Sequence, residues 1–207
     1  MHIPSKSTHQ IEILPFLEAL KGSDCPNDSY DVDRWLYVPN FYSEFRYILG
    51  TKGKKPLICI GINPSTAQPD NLDNTLKSVE RIALSNGYDS FIMFNVYSQR
   101  ATRPDDMEKE FNRKMHSENM QAFEYILKNA DTTPDIWAAW GSIIEKRDYL
   151  YTCLEDMIEI GKRYNVNWYS VGKMSKAGHP HHPLYLKKDL PLDPFDVTSY
   201  CNKFKTK

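Results

Sequence analysis

The sequence predicts an α/β fold in which one mostly parallel sheet is covered by helices on both faces. Four short apolar segments favour buried strands, and segments with helical spacing of apolar residues separate them. Strands that alternate with helices in this way are typical of parallel sheets joined by right-handed crossovers. We therefore expect a three-layer α/β/α sandwich with a central four-stranded sheet. The predicted strands are residues 57–60 with Ile62, 91–96, 136–140 and 168–171, and the predicted helices are residues 75–86, 108–130 and 141–164.

The length of the chain, 207 residues, is suited to one domain with extensions at its ends. Residues 1–35 are polar and include three prolines. We expect them to form an N-terminal extension, with a short helix near residues 11–21. The domain itself is predicted to span residues 36–195, and residues 196–207 are expected to form a C-terminal tail.

A hairpin is predicted next to the first core strand. Residues 35–49 are rich in aromatic and β-favouring side chains, which is typical of strands. A turn rich in glycine and lysine follows at residues 50–55. We therefore expect residues 45–49 to pair with residues 57–60.

The overall charge does not indicate a strongly basic nucleic-acid binder. The formal net charge is −1, and 41% of the residues are hydrophobic and 26% charged, as in an ordinary soluble protein. The charge is nevertheless uneven, because residues 173–188 contain four lysines and three histidines and no acidic residue. A local basic patch of this kind can bind phosphates even when the average charge is near zero.

Cysteine spacing and hydropathy exclude several classes of protein. The four cysteines form no C-x-x-C pair, so neither a zinc ribbon nor an iron–sulfur site is indicated. The adjacent histidines of the basic patch have no third ligand nearby, which argues against zinc. We therefore expect no metal and no cofactor. The sequence shows no signal peptide and no apolar run long enough for a bilayer, which favours a cytoplasmic location without membrane contact.

The segment PLICIGINPSTA, residues 56–67, places an asparagine at the carboxyl end of the first core strand. Pro64 removes a backbone donor and holds Asn63 in an extended or turn conformation. Open α/β sheets form their ligand crevice at this edge. Asn63 can face such a crevice, or it can bond its own backbone in an ordinary loop. The polar segments after the four strands are expected to meet at the same edge: residues 63–74, 97–104, 141–145 and 173–185.

Four short motifs follow the four predicted strands in order: Gly61-Ile62-Asn63-Pro64, Asn95 with Arg100-Ala101-Thr102-Arg103-Pro104, Trp140-Gly141, and His179-Pro180-His181-His182-Pro183-Leu184. Together they resemble the motifs of the uracil-DNA glycosylase superfamily. The first is most similar to that of the mismatch-specific uracil/thymine glycosylases. The combined features are also similar to a family of uncharacterised bacterial and phage proteins, over about residues 45–190. The superfamily resemblance implies a uracil-DNA glycosylase-like fold, with DNA or a nucleotide as partner.

The resemblance implies catalytic roles for residues of the first and last motifs. Asn63 would hold the attacking water, at a position where the most efficient uracil enzymes carry Asp. A histidine of the closing motif would donate to the leaving base. The motif places His179 first, but one extra residue in this sequence leaves His182 nearly as good.

The resemblance also implies residues that bind the base and the DNA. The Asn95 amide offers one acceptor and two donors, which suits a pyrimidine edge, although a strand-end amide can equally cap the next turn. Arginines and lysines of the loops would bind phosphates, or form a solvated rim. The expected base-binding residues are Gly61, Ile62, Pro64, Ser65 and Asn95, and the expected DNA-binding residues are Arg100, Arg103, Lys173, Lys176, Leu184 and Tyr185.

A carboxylate that the first motif lacks is available in the loop that follows it. Asp70 and Asp73 lie seven and ten positions after Asn63, and either can supply this group, an inference from position rather than from the family. Capping of the helix predicted at residues 75–86 is an equally good interpretation of Asp73.

Breaking an N-glycosidic bond requires a base held out of the stack, donors for the charge that develops on it, and a positioned water. The sequence offers residues for each requirement. It therefore predicts a DNA glycosylase-like hydrolase that acts on a flipped uracil-like or modified base. Two alternatives stay open: an N-glycosidase of free nucleosides or nucleotides, and a non-catalytic protein that binds a nucleotide or DNA.

Overall fold

A single β-sheet forms the centre of the protein. The structure is a computed structural model that describes residues 11–186 and 190–204. Within these residues, seven segments form the strands of the sheet. In chain order they are β1 (Trp35–Val38), β2 (Ile48–Thr51), β3 (Pro56–Gly61), β4 (Ser90–Asn95), β5 (Asp135–Ala138), β6 (Asn167–Val171) and β7 (Leu192–Pro194).

The centre of the sheet is parallel, as the sequence predicts. The strand order is β1-β2-β4-β3-β5-β6-β7, in which β4, β3, β5 and β6 are neighbours that run in the same direction. These are the four predicted strands, so the α/β class is confirmed. The predicted count of four is too low, because β1 and β2 extend the sheet beyond β4 and β7 extends it beyond β6, all antiparallel.

The predicted hairpin between residues 45–49 and 57–60 does not form. Both edges of β3 are occupied by the parallel strands β4 and β5, so β2 pairs with β4 and β1 instead. Gly50 permits this pairing, because a Cβ there would lie 2.3 Å from the carbonyl oxygen of Phe91. The chain therefore returns from β2 to β3 across one neighbouring strand.

Helices cover both faces of the sheet. Along β3, Leu57 and Cys59 point to one face and Ile58 and Ile60 to the other, as the two-residue period of a strand requires. The first face packs against one helix and the second face against four. Within the described residues these helices are α1 (Phe16–Ser23), α2 (Asn74–Ser85), α3 (Arg113–Lys128), α4 (Tyr149–Arg163) and α5 (Val197–Phe204), of which α2 covers the first face.

The segments predicted to be terminal extensions contribute to the core as far as they are described. Phe16 of α1 is 1% exposed, and its backbone N–H donates to Oε2 of Glu118 at 2.7 Å. The hydroxyl of Tyr47 donates to the carbonyl oxygen of Leu14 at 2.7 Å. At the other end, α5 buries four side chains against the same face. Residues 1–10, 187–189 and 205–207 lie outside the described residues, which includes two lysines of the basic patch.

The predicted helix at residues 141–164 is divided into a 3₁₀ segment, Gly141–Lys146, and α4. Gly141, three residues after the end of β5, adopts a φ of +60°, a conformation that favours glycine. Two further 3₁₀ turns are described, at Pro104–Asp106 and Pro183–Tyr185. Among the described helices, none is long and apolar enough to cross a membrane.

Candidate functional site

A cleft of about 870 Å³ lies at the carboxyl ends of the parallel strands. Each of the four loops that follow these strands contributes to its walls, together with the amino end of α2. Crevices of α/β proteins form at this edge because parallel strands all deliver their loops to it. The residues that reach the cleft from the four loops include Asn63, Ser65, Thr102, Ser142, His181 and His182.

A second cavity, of about 220 Å³, lies at the opposite edge of the sheet. Its lining includes Pro56 and Asp135, the first residues of β3 and β5. Histidine and cysteine are absent from the described residues that line it. The larger cleft therefore has the more reactive set of side chains.

Asn95 ends β4 inside the cleft, and its amide group is unpartnered. Its side chain is 1% exposed, and neither Oδ1 nor Nδ2 has a hydrogen-bond partner among the described residues. Gly61 lies opposite Asn95 in the parallel register, and a Cβ on Gly61 would lie 3.2 Å from Oδ1 of Asn95. A buried amide without partners is costly unless a ligand supplies them. Asn95 is therefore suited to contact a polar ligand at the cleft floor.

Asn63 presents an acceptor to the cleft. Its Nδ2 donates to the carbonyl oxygens of Pro64, at 3.0 Å, and of Ala101, at 2.7 Å. These bonds fix the amide orientation, and Oδ1 accepts no hydrogen bond from a described residue. Asn63 therefore bonds the local backbone and also lines the cleft.

Asp73 supplies the carboxylate of the cleft among the described residues that line it. Its Oδ1 accepts the backbone N–H of Leu76 at 2.9 Å and so caps the amino end of α2. Oδ2 accepts no hydrogen bond from a described residue, which leaves one oxygen for a ligand or water. Asp73 thus caps α2 through Oδ1 and leaves Oδ2 available to a ligand or water.

His182 lies in the cleft wall. Its Nδ1 accepts the backbone N–H of Leu184 at 3.3 Å, so the proton of the neutral ring is on Nε2. Burial lowers the pKa of His182, and Asp73 opposes this shift with a smaller effect. His182 is therefore a neutral ring with an N–H donor, a state suited to hydrogen bonding with an oxygen of a ligand.

His179 does not line the cleft. It is 0% exposed, its Nδ1 lies 2.8 Å from the hydroxyl of Tyr200, and its ring stacks on Phe204 at 4.6 Å. Its Nε2 lies 3.2 Å from Oε1 of Glu145, at ion-pair distance although not aligned for a hydrogen bond. The structure therefore brings His182 to the site and uses His179 to anchor α5 behind it.

Apart from Arg100, the remaining predicted residues divide into three groups. Gly61, Ile62, Pro64 and Ser65 line the cleft. Leu184 and Tyr185 also line it and are 41% and 80% exposed. Exposed charged residues outside the lining, suited to contact a larger ligand, are Arg103, Lys173 and Lys176.

Arg100 lies in the interior instead of on the surface. It is 4% exposed, and its guanidinium donates to the carbonyl oxygens of Ser65 and Ala67 and to the hydroxyl of Tyr37. Its guanidinium also stacks over the ring of Tyr42 at 4.3 Å. A contact between Arg100 and the backbone of DNA on the surface is incompatible with this burial.

Arg46 is a cleft residue that the sequence interpretation missed. It is 1% exposed and lines the cleft, and Nη1 donates to the carbonyl oxygen of Ala67 at 3.1 Å. Burial, and secondly the charge of Arg100, lower the pKa of Arg46 to about 9, so it stays charged at neutral pH. The available signal was an arginine inside the aromatic segment predicted to form a strand.

The described residues do not form a cluster of metal ligands in the cleft. Among the described residues, no group of three or more His, Cys, Asp or Glu side chains is placed to hold a metal ion.

Fold and cleft together define an α/β protein with a polar pocket at the carboxyl ends of its parallel strands. The chain belongs to the family described as "Protein of unknown function (DUF1643)", which matches residues 46–184. That range begins at Arg46 and ends at Leu184, so it includes every residue of the cleft lining except Tyr185. No curated protein matches the chain, and no solved structure matches it.

Proposed function

We propose that the protein hydrolyses the N-glycosidic bond of a uracil-like or modified base that is flipped out of DNA into the cleft. The observation that carries this proposal is the Asn95 amide, which is buried and unpartnered at the cleft floor. One acceptor and two donors in a fixed amide match the alternating acceptors and donor of a pyrimidine edge. A base that binds there would satisfy an amide that otherwise destabilises the fold.

The finer fold assignment belongs to the same proposal. The four parallel strands, in the order β4-β3-β5-β6, would form a uracil-DNA glycosylase-like core, to which the antiparallel strands are added at both edges. Support comes from the position of the four motifs, each of which follows one of these strands. Fold similarity alone would not establish activity, which depends on the residues of the cleft.

Three cleft residues would carry out the reaction. Nε2–H of His182 would donate to an oxygen of the leaving base and stabilise the negative charge that develops there. Oδ1 of Asn63 would hold a water molecule at the sugar. Oδ2 of Asp73 would accept a proton from that water and stabilise the positive charge on the sugar. Asp73 would thus supply the carboxylate function that Asn63 itself lacks.

The mouth of the cleft would hold the DNA. Leu184 and Tyr185 are exposed apolar side chains at the cleft, where they would fill the gap that a flipped base leaves. Arg103, Lys173 and Lys176 are exposed and would contact phosphates of the DNA backbone. In this proposal, the base would be recognised inside the cleft and the DNA strand would bind at its rim.

The test is incubation of the full chain with single- and double-stranded DNA that carries a panel of natural and modified bases, with abasic sites counted. We expect release of at least one pyrimidine-like base, and Asn63→Ala and His182→Gln should each abolish release without loss of DNA binding at low salt. Failure to bind any DNA at low salt would overturn the proposal, because phosphate contacts are strongest there. If only an Asn63→Asp variant releases base, the native protein is a binder instead.

An N-glycosidase of free nucleotides is the second candidate, and one observation favours it. Arg46 is a buried cation in the cleft itself, where a mononucleotide would place its phosphate. The same incubation with deoxynucleoside monophosphates, with free base measured by chromatography, separates the two candidates. Release from mononucleotides but from no DNA would favour this second function.

A further inference from the structure

Two almost completely buried arginines lie side by side at the cleft. Arg46 is 1% exposed and Arg100 is 4% exposed. Nη1 of each donates to the same carbonyl oxygen, that of Ala67, at 3.1 Å and 3.3 Å respectively. Two adjacent cations repel each other, and removal from water adds to the cost of both charges. This arrangement is therefore unfavourable unless a negative charge offsets it.

The described part of the chain does not provide an ion-pair partner for either arginine. Each described salt bridge involves other residues, and Nε of both arginines is buried without a hydrogen-bond partner. The charge of Asp73 has only a small effect on the pKa of either arginine. Its Oδ1 accepts the backbone N–H that caps α2. Buried charges are normally paired, so the pair indicates an anion that comes from outside the protein.

The cleft gives an anion access to one of the two side chains. Arg46 lines the cleft, whereas Arg100 lies behind it and is not part of the lining. Thr75, in the first turn of the twelve-residue helix α2, lines the same cleft. The amino end of a helix carries a partial positive charge, which adds to the field of the two arginines.

We infer that Arg46, supported by Arg100, forms a subsite for a phosphate group of the nucleotide whose base occupies the cleft. This inference rests on the proposed function and names a further part of the substrate that the same cleft binds. Arg46 makes the direct contact through its planar fork, for which phosphate oxygens are preferred acceptors. Arg100 is a positioning residue that adds charge and holds the loop from Ser65 to Ala67.

Such a phosphate has two sources, a free mononucleotide or the backbone of DNA, and both present the same oxygens. Calorimetric titration of the full chain distinguishes them with three ligands: thymidine, thymidine monophosphate, and a short single-stranded oligothymidine without terminal phosphates. We expect one or both phosphate ligands to bind more tightly than thymidine. Tighter binding of the monophosphate indicates a mononucleotide, and tighter binding of the oligothymidine indicates the DNA backbone.

Substitution of the arginines tests whether the phosphate binds at this subsite. Arg46→Gln should weaken binding of the phosphate ligand by about 10- to 100-fold, the usual effect of losing a charge-assisted hydrogen bond, and should leave thymidine binding unchanged. Arg100→Gln should weaken it by a smaller factor. The matched control is Arg81→Gln, because Arg81 is also partly buried and donates to Ser78 and Leu186 but does not line the cleft.

If Arg46→Gln does not fold, Arg46→Lys can be measured in its place, because lysine keeps the positive charge and loses only the planar pair of guanidinium donors. Equal binding of thymidine and both phosphate ligands to the wild-type protein overturns the inference, whatever the variants do. Equal loss of phosphate binding in Arg46→Gln and Arg81→Gln overturns it as well. The two proposals can also fail separately. If the protein releases a base from DNA but does not bind phosphate through Arg46, the phosphate subsite is wrong and the proposed function stands. If it binds phosphate through Arg46 but releases no base from any substrate, the proposed function is wrong and the phosphate subsite stands.

Discussion

Asn95 and Asn119 are two buried asparagines with opposite surroundings. Asn119 is 0% exposed, and its Nδ2 donates to the carbonyl oxygens of Asn95 and Val96 at 3.0 Å and 3.3 Å. The side chain of Asn95 makes no hydrogen bond to a described residue. One amide therefore stabilises the end of β4, and the other is available to a ligand.

This difference predicts that the two asparagines contribute unequally to stability. Asn119→Ala should lower the free energy of unfolding by about 1–3 kcal/mol, because two buried carbonyl oxygens lose their donor. Asn95→Ala should change it by less than about 1 kcal/mol, because the amide that is removed makes no bonds. Urea unfolding of both variants measures the difference. An equally large loss for Asn95→Ala would show that the Asn95 amide has a structural role.

The lowered pKa of His182 predicts how stability depends on pH. The folded state favours the neutral ring, so below the reference pKa of 6.5 the unfolded state binds more protons. The contribution of His182 to stability should therefore be fully present above pH 6.5. It should decrease as the pH falls from 6.5 towards the lowered pKa of His182.

The matched comparison is His182→Gln, which cannot be protonated. Unfolding free energies are measured from about pH 8 to about pH 5, the range over which histidines titrate. The wild type should lose more stability than His182→Gln in the lower half of this range. Parallel profiles for the two proteins would contradict the burial of a neutral His182.

The sequence indicated a histidine of the closing motif but not which one. His179 and His182 are three positions apart, and their different surroundings depend on Tyr200 and Phe204, which are distant in sequence. Arg46 was missed for a related reason, since arginines are mostly exposed and its burial depends on carbonyls of the loop after β3. A motif can therefore indicate candidate residues, but it does not show the contacts with distant parts of the chain that decide which candidate lies in the cleft.

At the scale of elements, the amino end of α2 combines capping with chemistry in Asp73. Asp73→Asn should retain the stability of the protein, because asparagine is as good an N-cap as aspartate, but should abolish base release. Asp73→Ala should abolish base release and also lower the unfolding free energy by about 1 kcal/mol, because alanine cannot cap the helix. Chemical denaturation and the base-release assay measure the two properties separately. Undiminished release by Asp73→Asn would remove the carboxylate from the proposed chemistry.

The C-terminal helix α5 is held behind the cleft by hydrogen bonds of Tyr200. Nε1–H of Trp140 donates to its hydroxyl at 2.9 Å, and Nδ1 of His179 lies 2.8 Å from the same oxygen. Tyr200→Phe should therefore lower the unfolding free energy by about 1–3 kcal/mol, because two buried polar groups lose their partner. Tyr185→Phe is the control, since Tyr185 is 80% exposed and should show a change within about 0.5 kcal/mol. Equal stability of the two variants would contradict this account of α5.

At the scale of the whole molecule, the central strands could be predicted and the edges of the sheet could not. β3, β4 and β5 are buried on both faces and form apolar segments that are recognisable in sequence. β7 has three residues and is mostly exposed, so its sequence resembles a loop. The pairing of β2 with β4 depends on which edges of β3 are already occupied, a property of the assembled sheet.

The convergence of the loops at one edge could be predicted for a physical reason. Parallel strands joined by crossovers deliver all their following loops to the same edge, so four motifs distant in sequence share one cleft. The placement of the terminal segments on the core was not evident, because the first is polar and contains three prolines and the second has only twelve residues. α1 and α5 are short helices of eight residues each, and packing on the sheet supplies much of the stability of helices this short.

The central claim is that Asn95 recognises a base whose glycosidic bond the protein then breaks. The most direct measurement is the rate of free-base release from DNA by the wild type and by Asn95→Ala, compared on the base that the panel identifies. The wild type should release this base, and Asn95→Ala should be slower by about 100-fold while it remains folded. Equal rates for the two proteins, or no release by the wild type from any base of the panel, would contradict the claim.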